Sequence, residues 1–487
     1  MKILILQLAR LGDIYMTWPA LRAVRRLNPN AEIHIVTRPR FESALEGLNV
    51  IDRHHVLPSA HILEPLVQQD ADLETSVNRM EEFTENLRAE NFDQIINLTF
   101  SPFSSYLTHA LTSLTTQVLG YTRFNDGYFC AADDISGYFY AQVGIDKPNR
   151  VHVSDIFASM MGIEYTESDW AAPVLPELAV TLPETYIAVH VGASEKQKSI
   201  PGQAWGRTIA YVTKRFPGLP FVLIGAPSEQ DIARDIIDTA AEANIVNLVG
   251  QTKMAELFTV IKRADLLIGC DSAPIHIASL TDTPTLNVSV GRVNFWETGP
   301  KATLGFIYRI DDLNQFAPER LGEITARLLE GHADEELISR TGGLVSYEKK
   351  NETAAERFQW DLVQALYLGG AFPIAERIEV VHGAIKLNEI NDFIMSQIAV
   401  AMEKGIETVA AYIENGEEVI KAISRIVPEL SPLISWYHTE KVRIAPGTQE
   451  EIYAATLNVH EQLKQHLRAY IPQDEETIRE EIQDGTL

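Results

Sequence analysis

The opening of the chain decides the fold class, and residues 3–37 read ILILQLARLGDIYMTWPALRAVRRLNPNAEIHIVT. Residues 3–8 form an apolar run typical of a buried strand, and a short turn follows it. The next segment carries apolar residues three or four positions apart, which predicts a helix (Ile14, Trp18, Leu21, Val24 and Leu27). The sequence Asn28-Pro29-Asn30 ends that helix, and residues 32–37 return to a strand. A strand, a helix and a second strand predict a parallel β-sheet.

Beyond this opening, predicted strands and helices alternate in two successive series. In the first series, further strands are predicted at 50–57, 92–99 and 117–121, with a polar helix at 64–90. After a connector that contains Pro173, Pro176 and Pro183, the second series begins. Its predicted strands are 186–191, 220–225, 245–249, 265–270 and 285–290, and its predicted helices are 203–216, 228–241, 253–263 and 273–280. Two successive parallel α/β units predict two Rossmann-like, doubly wound lobes that face a cleft.

The pattern changes near Asp334. Strand signals nearly vanish there, and helical spacing takes over, as in Ile394, Ile398 and Met402. The chain then ends in an acidic tail. We therefore predict three domains: an N-terminal Rossmann-like lobe at 1–175, a second Rossmann-like lobe at 176–333, and an all-helical extension at 334–487.

Composition excludes several classes of protein. The 487 residues carry a formal net charge of −26, whereas nucleic-acid binding and non-specific docking on an anionic membrane need a basic surface. Two cysteines, Cys130 and Cys270, are too few for a disulfide framework. Charged residues follow the first apolar run too soon for a signal peptide, and no run approaches the roughly 18 apolar residues of a membrane span. These features favour a soluble, cytoplasmic protein.

The first polar cluster, residues 9–13, follows the first strand. Gly12 permits a tight turn, and Asp13 stands at the start of the helix. Aspartate is a good helix N-cap, so a purely structural role fits the spacing as well as a chemical one. In the chemical alternative, Asp13 takes a proton from an acceptor hydroxyl.

The second cluster, residues 190–198, also lies between a strand and a helix. Its small residues allow backbone N–H groups to approach an anion, and Lys196 or Lys198 would neutralise phosphate charge. The alternative is a solvated polar loop with surface lysines. The spacing is not that of a Walker A loop.

The third cluster, residues 269–276, repeats the arrangement. Asp271 or Ser272 is expected to cap the helix, and His276 lies in its first turns. An acidic residue at this point binds ribose hydroxyls in dinucleotide-binding folds, and a helix N-terminus binds a diphosphate. Capping together with a buried, hydrogen-bonded histidine is the structural alternative. Asp70 and Asp72 match an Asp-x-Asp metal pattern, but they lie in a polar stretch that we interpret as a solvated helix.

The three clusters, in this order on two α/β lobes, resemble glycosyltransferase family 9 over roughly the first 310 residues. The resemblance is carried by Arg10-Leu11-Gly12-Asp13-Ile14, by His190-Val191-Gly192-Ala193-Ser194 with Lys198 and Pro201, by Asp271-Ser272-Ala273-Pro274-Ile275-His276 and by Trp296-Glu297-Thr298-Gly299-Pro300. The chain departs from the family at three positions: it has Ala273 where glycine is usual, Val191 where proline is common and Ile200 where an aromatic residue is usual.

The resemblance implies a GT-B fold, a nucleotide-activated sugar donor, usually ADP-heptose, and inversion at the anomeric carbon. It implies no required metal and no cofactor. Asp13 would then be the general base, and Lys198, with Lys196 as the alternative, would neutralise the leaving diphosphate. The remaining donor-binding residues would be Ser194, Asp271, Ser272 and His276.

The acceptor side follows from the same reasoning. Arg10, Arg38 and Arg40 lie at strand ends and suit a phosphorylated or acidic glycan or glycolipid acceptor, such as a lipopolysaccharide inner core. Scattered surface arginines are the alternative. A lipid acceptor would bring peripheral contact with the inner membrane. The helical extension would bind a protein partner or self-associate. An epimerase of the same fold and a non-catalytic scaffold remain open as other functions.

Overall fold

The computed structural model describes residues 1–193, 195, 198–341, 347–349 and 352–471. These residues form two compact units. The first unit spans Met1–Thr99, Ala110–Val118 and Arg150–Lys350. The second spans Phe100–His109, Leu119–Asn149 and the described part of Asn351–Leu487. The three predicted domain boundaries stay predictions.

Residues 1–175 alternate strands and helices, as the opening of the sequence predicts. In chain order they form β1 (Lys2–Leu6), α1 (Leu11–Leu27), β2 (Glu32–Thr37), β3 (Arg53–Val56), α2 (Ser59–Leu63), α3 (Leu73–Arg88), β4 (Gln94–Asn97), α4 (Pro102–Leu111), β5 (Gln117–Arg123), β6 (Phe129–Ala131), α5 (Asp134–Gln142) and α6 (Val153–Met160). Parallel pairs place β3, β2, β1 and β4 side by side in the first unit, and Ile3 lies between Ile33 and Gln94. The central strand β1 is buried from Ile3 to Leu6.

The predicted helix at 64–90 is too long. The residues between Val67 and Asp72 are not helical, and α3 covers only Leu73–Arg88. The helix begins at Leu73, because the Asp72 carboxylate accepts a hydrogen bond from the Thr75 N–H at 2.9 Å. Asp72 is therefore an N-cap, and Asp70 lies in the bend before it. The interpretation of both aspartates as members of a solvated helix is wrong.

Residues 176–349 build the second sheet. In chain order they form β7 (Ile187–His190), α7 (Gly202–Arg215), β8 (Pro220–Ile224), α8 (Gln230–Thr239), β9 (Asn244–Asn247), α9 (Met254–Lys262), β10 (Leu266–Cys270), α10 (Ala273–Thr281), β11 (Thr285–Val290), α11 (Phe295–Thr298), β12 (Gly305–Ile310), α12 (Pro318–Leu329), β13 (Ile338–Arg340) and β14 (Tyr347–Glu348). The order is β14-β13-β12-β11-β10-β7-β8-β9. The strands from β12 to β9 are parallel, and β13 and β14 add an antiparallel edge.

The two edge strands contradict the expectation that helices alone follow Asp334. Ile338 and Tyr347 are buried against Phe295 and Ile307, which explains why this short segment pairs with the sheet. Strands of two or three residues are too short to be predicted from apolar alternation.

An aromatic cluster joins the two sheets of the first unit. Trp18 on α1 stacks on Phe258 of α9, with 5.3 Å between ring centroids and 13° between ring planes, and both side chains are fully buried. Tyr15 meets both rings edge-on. The Trp18 indole N–H also donates to the Ala44 carbonyl at 3.0 Å. Both lobes therefore share this apolar contact, which fixes α1 against the second lobe.

The second unit is helical apart from the antiparallel pair of β5 and β6. Its helices after residue 351 are α13 (Ala354–Tyr367), α14 (Ile378–Lys404), α15 (Ala410–Ile426), α16 (Ser431–Val442) and α17 (Gln449–Leu467). Turns of 3-10 helix connect elements in both units, at Pro39–Leu45, Glu64–Leu66, Glu167–Trp170, Pro227–Glu229, Leu313–Gln315, Ile406–Thr408 and Pro428–Leu430.

The face of α16 is occupied by a segment of the chain itself. The buried Gln142 amide on α5 donates to the Pro432 carbonyl at 3.0 Å, and the Tyr138 ring meets the Tyr367 ring. Arg443, at the end of α16, packs over Gly137 and pairs with Asp134 at 2.6 Å. The helices after residue 351 thus hold α5 in place.

We expect Arg443→Ala to lower the free energy of unfolding by about 1–2 kcal/mol, because the arginine stem is packed as well as paired. Asp134→Ala is the matched control. Its side chain is 91% exposed, so losing the same ion pair from that end should cost less than about 0.5 kcal/mol. Urea unfolding followed by circular dichroism measures both changes. Equal losses in the two variants would contradict the packing argument.

Candidate active site

Asp13 lies in the first turn of α1, immediately after the carboxyl end of β1. Its carboxylate accepts the Arg10 backbone N–H at 2.8 Å, so the residue does help to cap the helix. Burial raises the pKa of Asp13, and the Arg10 N–H and the charges of Arg10 and Arg38 oppose part of that rise. The carboxylate is thus a stronger base than an ordinary aspartate, and its position is fixed.

The turn before Asp13 touches the third cluster. A Cβ atom at Gly12 would lie 2.8 Å from His276 Cδ2 and 3.0 Å from Nε2. Only glycine leaves room for this contact. Burial lowers the pKa of His276 to about 4, so its imidazole is neutral at physiological pH. The structure therefore brings the first and third clusters together.

Asp271 and Ser272 connect β10 to α10. The Asp271 carboxylate accepts from the Asn287 side-chain amide at 2.7 Å. Ser272 occupies the N-cap position, but its hydroxyl makes no capping bond with α10. It lies 3.0 Å from His190 Nδ1 and 3.0 Å from the Cys270 carbonyl oxygen. The expected cap by Ser272 is wrong, because the hydroxyl is engaged by the second cluster and by its own strand.

Lys198 is the lysine of the second cluster that the structure describes. Its ammonium lies 3.6 Å from Glu195 Oε1, and the Arg10 guanidinium donates to the same oxygen at 3.1 Å. These two cations lower the pKa of Glu195, with the Arg10 bond as the larger cause. Burial raises the pKa of Asp271, and the positive charge of Lys198 opposes part of that rise. Ser194 and Lys196, which were also predicted to bind the donor, lie outside the described residues.

Two of the three predicted acceptor arginines, Arg10 and Arg38, lie near Asp13, and Arg40 lies near Arg38. Arg38 donates to the Ala9 carbonyl at 3.1 Å and stacks on the Phe41 ring, and Arg40 approaches the same ring. Burial, followed by the charges of Arg40 and Arg10, lowers the pKa of Arg38. Positive charges this close to one another favour an anionic ligand.

Sequence reasoning missed three residues of this site: Glu195, Glu229 and Asn287. Glu229 shows why. Its carboxylate accepts the Ala226 N–H at 2.7 Å and fills the space beside Gly192, where a Cβ atom would lie 1.7 Å from Oε1. Burial raises the pKa of Glu229. Gly192 and Glu229 are far apart in the chain, so the glycine at position 192 was the one sequence signal of a close contact there.

One group in the described part of the chain has metal-ligand geometry. The ligand atoms of Glu32, His34 and Glu90 lie within 4.8 Å of one another. Lys2 and Arg53 form ion pairs with both carboxylates. The group lies at the amino-terminal ends of the first strands, away from the clusters, and it is explained as an ion-pair network.

Comparison with known proteins shows which family this chain resembles. Residues 80–290 match the model of glycosyltransferase family 9 (heptosyltransferase). Lipopolysaccharide heptosyltransferase 1 of Campylobacter coli is 24% identical over 306 residues, which cover 59% of this chain and 83% of that protein. Lipopolysaccharide heptosyltransferase 3 of Escherichia coli strain K12 is 23% identical over 283 residues, which cover 57% of this chain and 79% of that protein.

A solved structure supports the fold. The glycosyl transferase family 9 structure from Veillonella parvula DSM 2008 superposes with a TM-score of 0.51 at 17% identity, covering 68% of this chain and 97% of that one. The predicted GT-B fold with a helical extension is confirmed.

The match to the family model indicates a glycosyltransferase. The predicted resemblance to glycosyltransferase family 9 is confirmed as well. In the described part of the chain, none of the helices has both the length and the apolar character to cross a membrane.

We expect Gly12→Ala to destabilise the protein, by about 1–3 kcal/mol, because the added methyl group overlaps the His276 ring. His276→Ala removes the obstacle, so the Gly12→Ala penalty should largely disappear in that background. Chemical denaturation of both single variants and the double variant measures this coupling. Additive losses would show that the contact does not constrain Gly12.

Proposed function

We propose that this chain is an inverting, metal-independent heptosyltransferase that moves heptose from ADP-heptose to a lipopolysaccharide-core acceptor. The observation that carries the proposal is the convergence of the Asp13 loop, Lys198 and the start of α10 in one unit. The named relatives support the sugar and the acceptor class, since they are lipopolysaccharide heptosyltransferases.

The reaction needs a base, a donor site and stabilisation of the leaving group. Asp13 takes the proton of the acceptor hydroxyl, whose oxygen attacks C1 of the donor sugar. The bond from C1 to the diphosphate oxygen breaks on the opposite face, and its electron pair leaves with ADP. The transition state is oxocarbenium-like, by analogy with inverting glycoside hydrolysis.

Negative charge grows on the departing diphosphate, and the chain supplies two groups to meet it. Lys198 supplies a full positive charge. The amino end of α10 supplies backbone N–H groups, and Ser272 does not cap them. Asp271 and the neutral His276 are suited to hold donor hydroxyls, because both offer hydrogen-bonding atoms at the same strand end. Glu229 is a further candidate for a donor hydroxyl, since it lies against Gly192 of the second cluster.

Arg10, Arg38 and Arg40 suit the acceptor. A phosphorylated inner core would present dianionic groups, which pair well with guanidinium. Glu195 now pairs with both Arg10 and Lys198, so an incoming phosphate would exchange with a carboxylate. This exchange replaces one anion by another, so the charge balance of the site is kept. Arg10 would then lie between the acceptor phosphate and the donor.

Asp13→Ala and Asp13→Asn should each lower kcat by about 10²- to 10⁴-fold, the usual range for a general base. Asp70→Asn, at an exposed position, is the control. The base works when ionised, so the rate should be lost as pH falls through the pKa of Asp13, which burial holds above the ordinary aspartate value. Radiolabelled sugar transfer measured between pH 4 and 8 tests both points. Near-normal turnover in Asp13→Asn would remove it from the mechanism.

Donor binding is tested without an acceptor. ADP and ADP-heptose should raise the thermal midpoint of the wild type by mass action, and Lys198→Ala should weaken that shift. Lys214→Ala, at the end of α7, controls for the loss of one lysine charge. Absence of any shift at millimolar nucleotide would overturn the donor site. Release of an altered sugar nucleotide from ADP-heptose alone would instead favour epimerisation.

A further inference from the structure

Strand β11 carries a polar row inside the protein. Its residues alternate between Leu286, Val288 and Val290, which belong to the apolar core of the second lobe, and the polar residues Thr285, Asn287 and Ser289. All six side chains are buried. A buried polar group costs free energy unless it is hydrogen-bonded, so each member of this row needs a partner or a purpose.

Thr285 and Ser289 have partners within the described residues. The Thr285 hydroxyl donates to the Thr283 carbonyl at 2.8 Å, and the Ser289 hydroxyl accepts from the Arg309 guanidinium at 3.3 Å. Asn287 differs. Its amide nitrogen donates to Asp271 Oδ1 at 2.7 Å, while its own Oδ1 is buried with no hydrogen-bond partner among the described residues.

Asp271 shows the same incomplete satisfaction. Its Oδ1 is held by Asn287, and its Oδ2 is buried with no partner at hydrogen-bond distance among the described residues, although the Ser289 hydroxyl lies close enough to lower the pKa of the carboxyl. Two unpartnered acceptor oxygens thus belong to one hydrogen-bonded pair of side chains, Asp271 after the carboxyl end of β10 and Asn287 on β11. The Asn287 amide nitrogen is the donor within this pair, and both remaining oxygens can only accept. Such a pair is suited to a ligand whose hydroxyl groups donate hydrogen bonds.

We propose that Asn287 is a positioning residue, which orients Asp271 so that its second oxygen accepts a hydroxyl of the donor sugar. The inference rests on the proposed function, in which the donor lies against the second lobe. It adds a residue that sets the affinity for the sugar rather than for the nucleotide. Asn287 Oδ1 offers a second acceptor for a neighbouring hydroxyl.

The charges around Asp271 make this role measurable. Burial raises the pKa of Asp271, and the Asn287 bond is the largest effect that lowers it, followed by Lys198, Ser289 and Arg309. The Cys270 thiol and the Tyr347 hydroxyl face the same carboxyl, and both stay neutral at physiological pH because burial raises their pKa values. Without Asn287, the carboxylate should take up a proton at higher pH and lose strength as an acceptor.

The experiment compares Asn287→Leu with Thr285→Val, which removes a buried hydroxyl from the same row without touching Asp271. Isothermal titration with ADP and with ADP-heptose, between pH 5 and 8, separates nucleotide from sugar. We expect Asn287→Leu to bind ADP as the wild type does and ADP-heptose about tenfold more weakly, the effect of one hydrogen bond. Its loss of ADP-heptose affinity on acidification should begin at higher pH than in the wild type. Thr285→Val should match the wild type with both ligands.

Asn287→Ser is the second variant, since it keeps a small polar side chain that is too short to reach Asp271. It should reproduce the effect if Asn287→Leu does not fold. Asp271→Asn should lose the extra affinity for the sugar and its acid dependence together. Unchanged ADP-heptose affinity in both Asn287 variants, or an equal loss for ADP and ADP-heptose, would overturn the positioning role. A wild type that binds neither ligand would overturn the proposed function and this inference with it.

Discussion

The close approach of Gly12 to His276 is the constraint on which the rest of the site depends. The backbone of the first cluster lies against the imidazole of the third, and there is no space for a side chain between them. The aromatic stack of Trp18 on Phe258 fixes the same helix six residues further along. The proposed base on one lobe and the proposed donor site on the other are thereby held at a defined separation. Catalysis by positioning needs such rigidity, since an error of about 1 Å is costly.

Local positive charge is the second requirement of the proposed site. The protein carries a net charge of −26, yet both of its proposed substrates are anionic. Local charge has to offset the average, and Arg10, Arg38, Arg40 and Lys198 supply it near the strand ends. Glu195 pairs with Arg10 and Lys198, which holds these long side chains in place before any ligand arrives. A phosphate that replaces this carboxylate meets cations that are already ordered, so less conformational entropy is lost on binding.

The features that the sequence predicted are those set by local spacing. Apolar runs and helical periodicity placed β1 and α1, and the polar clusters fell at strand ends, where parallel sheets bind ligands. The features that it missed depend on partners distant in the chain. Ser272 looked like a cap, but His190 and the Cys270 carbonyl engage its hydroxyl. Asn287 gave no local signal, because its hydrogen-bond partner Asp271 lies at the end of another strand.

Asp13 combines a structural and a chemical role, which the sequence presented as alternatives. The Arg10 N–H uses one of the roughly four acceptor positions of the carboxylate, and so leaves positions for a hydroxyl proton. That bond lowers the basicity of the group, while burial raises it, and burial is the larger effect. The cap therefore fixes the direction of the carboxylate without removing its strength as a base. Asp13 therefore helps to cap α1 and also meets the requirements of the base in the proposed reaction.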